Sequence, residues 1–235
     1  MDSKETPSIV DAQAVWKVYE TGNLKVEALR GVNLRVKKGE MVAVMGPSGC
    51  GKTTLLNCIS GLDDLTKGKI TIEGMDMAKL SDDDKARFRA KRMGFIFQAY
   101  NLLPVLTARE NVELPLLLGG MSEGDARKAA LDALKMVGLQ EWGSHKPMEL
   151  SGGQQQRVTI ARALVNKPAI IWGDEPTGNL DYENSQEIVN LMRALNKDYG
   201  LTLVLVTHDL HVAQETNRIV SMRNGVIEKE TATSS

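Results

Sequence analysis

Between Met45 and Gly61 the chain reads MGPSGCGKTTLLNCISG, a stretch too rich in bare backbone for an ordinary turn. Gly46, Gly51, Lys52 and Thr53 fit G-x-x-x-x-G-K-[ST], with Pro47, Ser48, Gly49 and Cys50 between the glycines and Thr54 following. In that pattern backbone N–H groups cradle phosphates, the lysine reaches the terminal ones and the hydroxyl meets Mg²⁺. Glycine lets phosphate oxygens approach without meeting a Cβ, and a helix N-terminus supplies unpaired amides and the positive end of a dipole. A second chemical signal stands at AIIWGDEPTGNLD, where an apolar run ends on Asp174 and Glu175. Adjacent carboxylates at such a position can divide two tasks, Asp174 holding Mg²⁺ and Glu175 acting as general base.

These residues need elements to hold them. EMVAVMG is an apolar run suited to a buried strand, and KTTLLNCIS puts Leu55, Leu56 and Ile59 on one helical face, with Gly61 as the stop. Earlier, IVDAQAVWKVY and VEALRGVNLRV read as strands, the second with Val32, Leu34 and Val36 alternating toward a buried face. KITIEG and MGFIFQ are further strands, with a charged helix from Asp82 between them. From about Tyr100 to Glu149 the pattern turns helical, with Ala126, Ala130, Leu134 and Val137 forming one stripe. The remaining segments alternate: a helix from Gly152 to Asn166, a strand AIIWG, a helix from Asn184 to Lys197, a strand LTLVLVT, and a hairpin turning at Asn224-Gly225. Alternating strands and helices imply an α/β domain with a largely parallel sheet, whose ligands sit at the carboxyl ends of the strands.

The composition, 42% hydrophobic and 25% charged, is enough to bury a core in one domain, and a net charge of −1 offers no general footprint for nucleic acid. The basic cluster KARFRAKR reads as a solvated helix face. MDSKETPSIVD lacks the basic start and apolar core of a signal peptide, and runs such as LTLVLV are too short to cross a bilayer. Cys50 and Cys58 match no metal-binding spacing and suit a reducing cytoplasm.

A second glycine pair opens a helix at LSGGQQQR, with Ser151 as N-cap and the amides of Gly152 and Gly153 left bare, which reads either as an ordinary capped helix or as a second anion site ahead of Gln154. With the loop at 46–53, the acids at 174–175 and the helical stretch between them, this order of motifs over about Ile9 to Glu230 resembles the ABC transporter ATPases. The resemblance implies a P-loop NTPase core with a mostly parallel sheet, an N-terminal antiparallel β subdomain and an inserted helical subdomain. It implies a single ATP-binding domain over 8–230, its core lobe at about 8–98 and 160–230 and its helical lobe at about 99–159. Tyr19 matches the family's adenine-stacking aromatic, with Trp16 the competing one; Gln98 matches the loop glutamine that touches Mg²⁺. Asp181 matches the loop aspartate that communicates across the dimer, and His208 the histidine that contacts the γ-phosphate.

In such proteins the helix of Ser151 to Gln154 completes the ATP site of the opposite subunit. A homodimer with ATP and Mg²⁺ sandwiched between its subunits is therefore implied, peripheral on the cytoplasmic face of the membrane beneath integral permease subunits, with no nucleic acid as partner. The motif wording is most similar to the group serving lipoprotein release, macrolide export and cell-division permeases. One departure is the run IWGDE, where Trp172 and Gly173 interrupt the usual aliphatic strand and are expected to loosen it. An ATP-driven regulatory switch on a membrane partner is the alternative. A DNA-repair ATPase would need a coiled coil or DNA-binding insertion that the sequence does not contain, and a small-molecule kinase would leave Ser151 to Arg157 and His208 idle.

Overall fold

Short apolar strands that alternate with amphipathic helices bury themselves only if the sheet is covered on both faces. The computed structural model, which describes residues 8–22 and 24–233, has this arrangement. Five strands, β3 (Met41–Met45), β6 (Met93–Phe97), β7 (Ile170–Asp174), β8 (Thr202–Val206) and β9 (Arg218–Arg223), pair in parallel, and β10 (Val226–Ala232) closes the edge antiparallel to β9. The order across the sheet is β10-β9-β3-β8-β7-β6. A separate antiparallel sheet, β2-β1-β4-β5, is made by β1 (Ser8–Thr21), β2 (Leu24–Lys37), β4 (Lys67–Ile72) and β5 (Met75–Asp76).

The parallel strands send alternate side chains to opposite cores. Ile171, Leu203 and Leu205 face a core shared with α3 (Ala108–Leu118), α4 (Glu123–Met136), α5 (Gly152–Leu164) and α6 (Tyr182–Tyr199). Ile170, Trp172, Val204 and Val206 face the other core, which contains α1 (Lys52–Ile59) and the inner side of the antiparallel sheet, including Val32, Leu34 and Val36. The predicted stripe of α4 is buried: Ala126, Ala130, Leu134 and the following Val137 all lie in the first core. The charged α2 (Asp82–Arg92) buries none of its residues, as expected of a solvated face. The helices predicted at 152–166 and 184–197 span Gly152–Leu164 and Tyr182–Tyr199, the second lengthened by the Asp181 cap and ended by Gly200 in the left-handed conformation. Among the described residues no helix is long and apolar enough to cross a membrane. The reading of the first residues as free of a leader falls on 1–7, outside the described residues.

The expected loosening of β7 does not occur. Trp172 is fully buried, and β7 holds an unbroken parallel register with β6 and β8 from Ile170 through Asp174. Gly173 faces the opposite side of the sheet, where a Cβ would come within 2.7 Å of Leu205. The indole Nε1 is buried with no hydrogen-bond partner among the described residues, so Trp172 acts through volume alone. Trp172→Ala is expected to cost about 3–5 kcal/mol of stability. Trp172→Phe, which gives up no hydrogen bond, is expected to cost less than about 2 kcal/mol; urea denaturation of the two variants measures both.

Candidate nucleotide site

The phosphate loop joins β3 to α1, and close backbone contacts on two sides dictate its glycines. Gly51 sits at φ +103°, and a Cβ there would lie 2.5 Å from the Ala28 carbonyl oxygen. A Cβ on Gly46 would lie 2.2 Å from the Met222 carbonyl oxygen of β9. The turn after β9 braces the loop: Gly225 N–H donates to Cys50 O at 3.0 Å, and Gly225 O accepts Arg30 N–H at 2.9 Å. No side chain caps α1, whose first intrahelical bond at this end is Leu55 N–H to Gly51 O at 2.8 Å. The amides of Lys52, Thr53 and Thr54 therefore have no intrahelical acceptor and remain available to an anion. Lys52 Nζ folds back onto the carbonyl oxygens of Gly46 and Pro47, at 2.9 and 3.1 Å. Over the loop lies a cavity of about 420 Å³ bordered by Ser48, Gly49, Gly51, Thr53, Thr54 and Glu175.

The carboxylates enter from β7, whose neighbour β8 leads to His208. Thr53 Oγ1 donates to Asp174 Oδ1 at 3.1 Å. Burial pushes the Asp174 carboxyl above the usual range, and the nearby Glu175 charge adds to this against the Thr53 hydrogen bond. A hydroxyl and a partly buried carboxylate are the hard oxygen donors that Mg²⁺ accepts, and a cation there would relieve the cost of keeping Asp174 ionised. Glu175 has φ +47°, a conformation that side chains other than glycine rarely adopt. It is held there by its own N–H, which donates to Val206 O at 2.9 Å. Its Oε1 lies 2.9 Å from His208 Nδ1, so the two side chains are engaged with each other. His208 is 71% exposed and Glu175 17%, which leaves the histidine as the movable partner.

The remaining sequence-predicted residues fall into two groups. Tyr19, on β1, is 41% exposed, and its hydroxyl donates to Asp63 Oδ2 at 2.7 Å. Its cross-strand partner Val26 borders the cavity. Trp16, the competing aromatic, instead packs its indole against Gly31 of β2. A separate cluster forms where α5 and α6 begin. Ser151 and Gln154 make a reciprocal capping box on α5, and Asp181 caps α6 through the Asn184 N–H. Gly153 abuts Asn184, where a Cβ would lie 2.4 Å from Oδ1, and Gly152 lies against the Tyr100 hydroxyl. Gln98 follows β6 next to Asp174 of β7, but its side-chain amide donates to Asn179 Oδ1 rather than reaching Thr53 or Asp174, and Asn179 Nδ2 donates back to the Gln98 backbone carbonyl. None of Gln98, Ser151 to Gln154 and Asp181 borders the cavity over the phosphate loop.

Cys50 departs from the expectation. Its side chain turns into the core, 4% exposed, so at most its backbone can face a phosphate. Conversely, Glu27, Ala28 and Arg30 of β2 and Asn224 of the last hairpin border the cavity although nothing in their own spacing marks them. The Asn-Gly dipeptide signals a turn, and only the packing of β9 against the loop gives that turn a place at the site.

The residues brought together at the end of β3 agree with what the chain is similar to. The family model described as ABC transporter matches residues 29–178. The lipoprotein-releasing system ATP-binding protein LolD of Legionella pneumophila is 44% identical over 217 residues, covering 92% of this chain and 96% of that protein. The macrolide export ATP-binding/permease protein MacB of Syntrophobacter fumaroxidans is 46% identical over 224 residues, 94% of this chain but 31% of that larger protein. Among solved structures, the dimeric post-hydrolysis state of the ATP-binding cassette MJ0796 bound to ADP and Pi is similar at a TM-score of 0.88 and 46% identity, covering 96% of this chain and 99% of that one. MJ0796 is a protein of Methanocaldococcus jannaschii. With more than half its length matched by the family model, and relatives well above a third identical, the chain belongs to the ABC transporter family as an ATP-binding, ATP-hydrolysing cassette.

Proposed function

We propose that this cassette works as a homodimer, with two ATP molecules and Mg²⁺ held between the subunits, and drives separately encoded permease subunits from the cytoplasmic face of a membrane. The observation that carries the reading is the separation of two glycine-rich helix starts. The uncapped α1 opens into the cavity, while the α5 start lies outside it with Gly152 and Gly153. One chain thus offers two halves of an anion site that do not meet within it, as expected if each completes the other's across a dimer. The dimer of MJ0796 with ADP and Pi supports the same arrangement. The joining of cassette and permease in one MacB chain supports a membrane partner. The single domain spans 8–230, with 99–159 as the helical lobe between core segments 8–98 and 160–230; its stretch from Asn101 to Pro115, just after Gln98, is the part assigned to the permease. ATP-dependent movement of substrate across vesicles that contain the cassette and its cognate membrane subunits tests transport. ATP turnover without flux there would point to a regulatory switch.

The residues divide the chemistry of phosphoryl transfer, which is positioning and charge stabilisation rather than covalent catalysis. On nucleotide entry, Lys52 exchanges its two carbonyl contacts for the terminal phosphates, and the free loop amides, those of Gly49 and of Gly51 to Thr54 among them, bind their oxygens. Tyr19 stacks on the base. Thr53, Asp174 and Gln98 would hold Mg²⁺, which when bound neutralises charge on the transferred phosphoryl group. Glu175 orients and deprotonates water, once His208 has left it for the γ-phosphate. Ser151, Gly152, Gly153 and Gln154 of the other subunit close over that phosphate, with Asp181 at the dimer contact.

Glu175→Gln keeps shape while removing basicity. It should therefore retain ATP binding while turnover falls by about 10²- to 10⁴-fold, and the dimer should persist with ATP in light scattering. Wild-type turnover would remove Glu175 from its role. Sharing of the site between subunits has a separate test. Lys52→Ala and Ser151→Arg homodimers should both be inactive, yet a verified heterodimer of the two should recover activity, because both lesions fall on one composite site and the other stays intact. A rate per subunit independent of protein concentration, from a species that light scattering shows to be monomeric, would refute the shared site.

A further inference from the structure

α1 carries the phosphate loop at one end, and its other end is tied to Tyr19. The amides of Leu62 and Asp63 both donate to Asn57 O of α1, at 2.8 and 3.1 Å, so the turn after the helix is fixed to it. From that turn Asp63 reaches β1 twice. Its Oδ2 accepts the Tyr19 hydroxyl at 2.7 Å and its Oδ1 accepts Lys17 Nζ at 2.6 Å. Lys17 Nζ also donates to Asp64 O at 2.7 Å and stands over the Tyr19 ring, 4.9 Å from its centroid. Thr66 adds two ties to the β1 backbone: its N–H donates to Trp16 O, and its hydroxyl oxygen accepts the Val18 N–H, both at 2.9 Å. Although burial opposes it, the hydrogen bonds from Lys17 and Tyr19 hold the Asp63 carboxyl below the usual carboxylate range.

A phenyl ring can stack without a hydroxyl, so stacking alone does not call for this anchor. An exposed aromatic side chain left to rotate must be ordered when a ligand arrives, and fixing it beforehand removes that cost. Here the hydroxyl is pinned and one ring face carries an ammonium group, which leaves the opposite face for a base. We propose that Asp63, with Lys17, is a positioning residue for the nucleotide base: it locks the Tyr19 ring at a set place relative to the phosphate loop, with α1 as the strut between them. The proposal rests on the reading of Tyr19 as the base-stacking residue, and its test separates the two.

The test titrates Asp63→Ala, Tyr19→Phe, their double variant and Tyr19→Ala by calorimetry with two probes, a non-hydrolysable ATP analogue and tripolyphosphate, which has no base. Asp63→Ala and Tyr19→Phe should each weaken the analogue roughly three- to tenfold, the scale of a hydrogen bond to a charged group in a partly exposed place. In steady-state turnover the loss should fall on KM rather than kcat. Tripolyphosphate binding should be unchanged, and the double variant should be no weaker than either single one, because both remove the same tether. Equal loss for both probes in Asp63→Ala would mean damage to the phosphate end and would overturn the proposal. Unchanged analogue affinity in Asp63→Ala, with Tyr19→Ala weakened, would overturn the tether and leave stacking standing; an unaffected Tyr19→Ala would overturn stacking and the tether with it. Should Asp63→Ala fail to fold, Tyr19→Phe removes only a hydroxyl and carries the same comparison.

Discussion

A backbone that must surround phosphate has to keep Cβ atoms off its inner surface and leave most of its amides free of its own structure. Such a loop has little to hold it except what presses on it from behind. Here that support comes from the carbonyl of Ala28 on β2 and the carbonyl of Met222 on β9, each too close to admit a side chain at Gly51 or Gly46. The hairpin turn at Gly225 completes the brace by bonding Cys50 O and Arg30 N–H together. The antiparallel sheet and the terminal hairpin are thereby the walls of the phosphate loop, and β3 between β8 and β9 is its foundation.

The same constraint explains the polar contacts within the site. Charged groups gathered for a highly charged substrate must satisfy one another until it arrives. Lys52 turns to two carbonyl oxygens, Thr53 donates to Asp174, and Glu175 meets His208. Each of these contacts uses the atom that the proposed chemistry needs, so nucleotide binding exchanges one set of polar contacts for another. The positive φ of Glu175 belongs to this arrangement: the chain bends sharply after β7 to aim the carboxylate at the cavity, and the Val206 carbonyl holds the bend.

Much of this was legible from residue types and spacing, because glycine, lysine and paired acids at strand ends leave local marks. The P-loop, the cap at Ser151, and the alternation of β2 and stripe of α4 are such marks. What stayed hidden depends on packing between distant segments. Trp172 looked like an interruption of β7 because sequence shows its size but not the core on its face of the sheet that takes it in. Cys50 looked like part of the cradle because its neighbours are, yet its side chain turns into the core while Pro47, Ser48 and Gly49 stay exposed. Glu27, Arg30 and Asn224 reach the cavity only because β2 and the last hairpin are folded against the loop. Gln98 is a mixed case, set beside Asp174 by the pairing of β6 with β7 but turned toward Asn179.

The two glycine-rich helix starts differ in a way that bears on the proposed order of events. At α1 no side chain occupies the first-turn amides, so the loop can offer all of them to a ligand at once. At α5 the Ser151 hydroxyl already accepts the Gln154 N–H, and the Gln154 side chain takes the Ser151 N–H in return. Only the amides of Gly152 and Gly153 are left without such a partner by the cap, and the dipole end of the helix is correspondingly less able to hold an anion by itself. A site of that kind gains little from a phosphate in solution and more from one already fixed at the right distance. On the proposed reading nucleotide therefore settles first on the phosphate loop of one subunit, and the capped helix of the other closes onto it afterwards. The weakness of that second contact also allows the dimer to reopen once the γ-phosphate is gone.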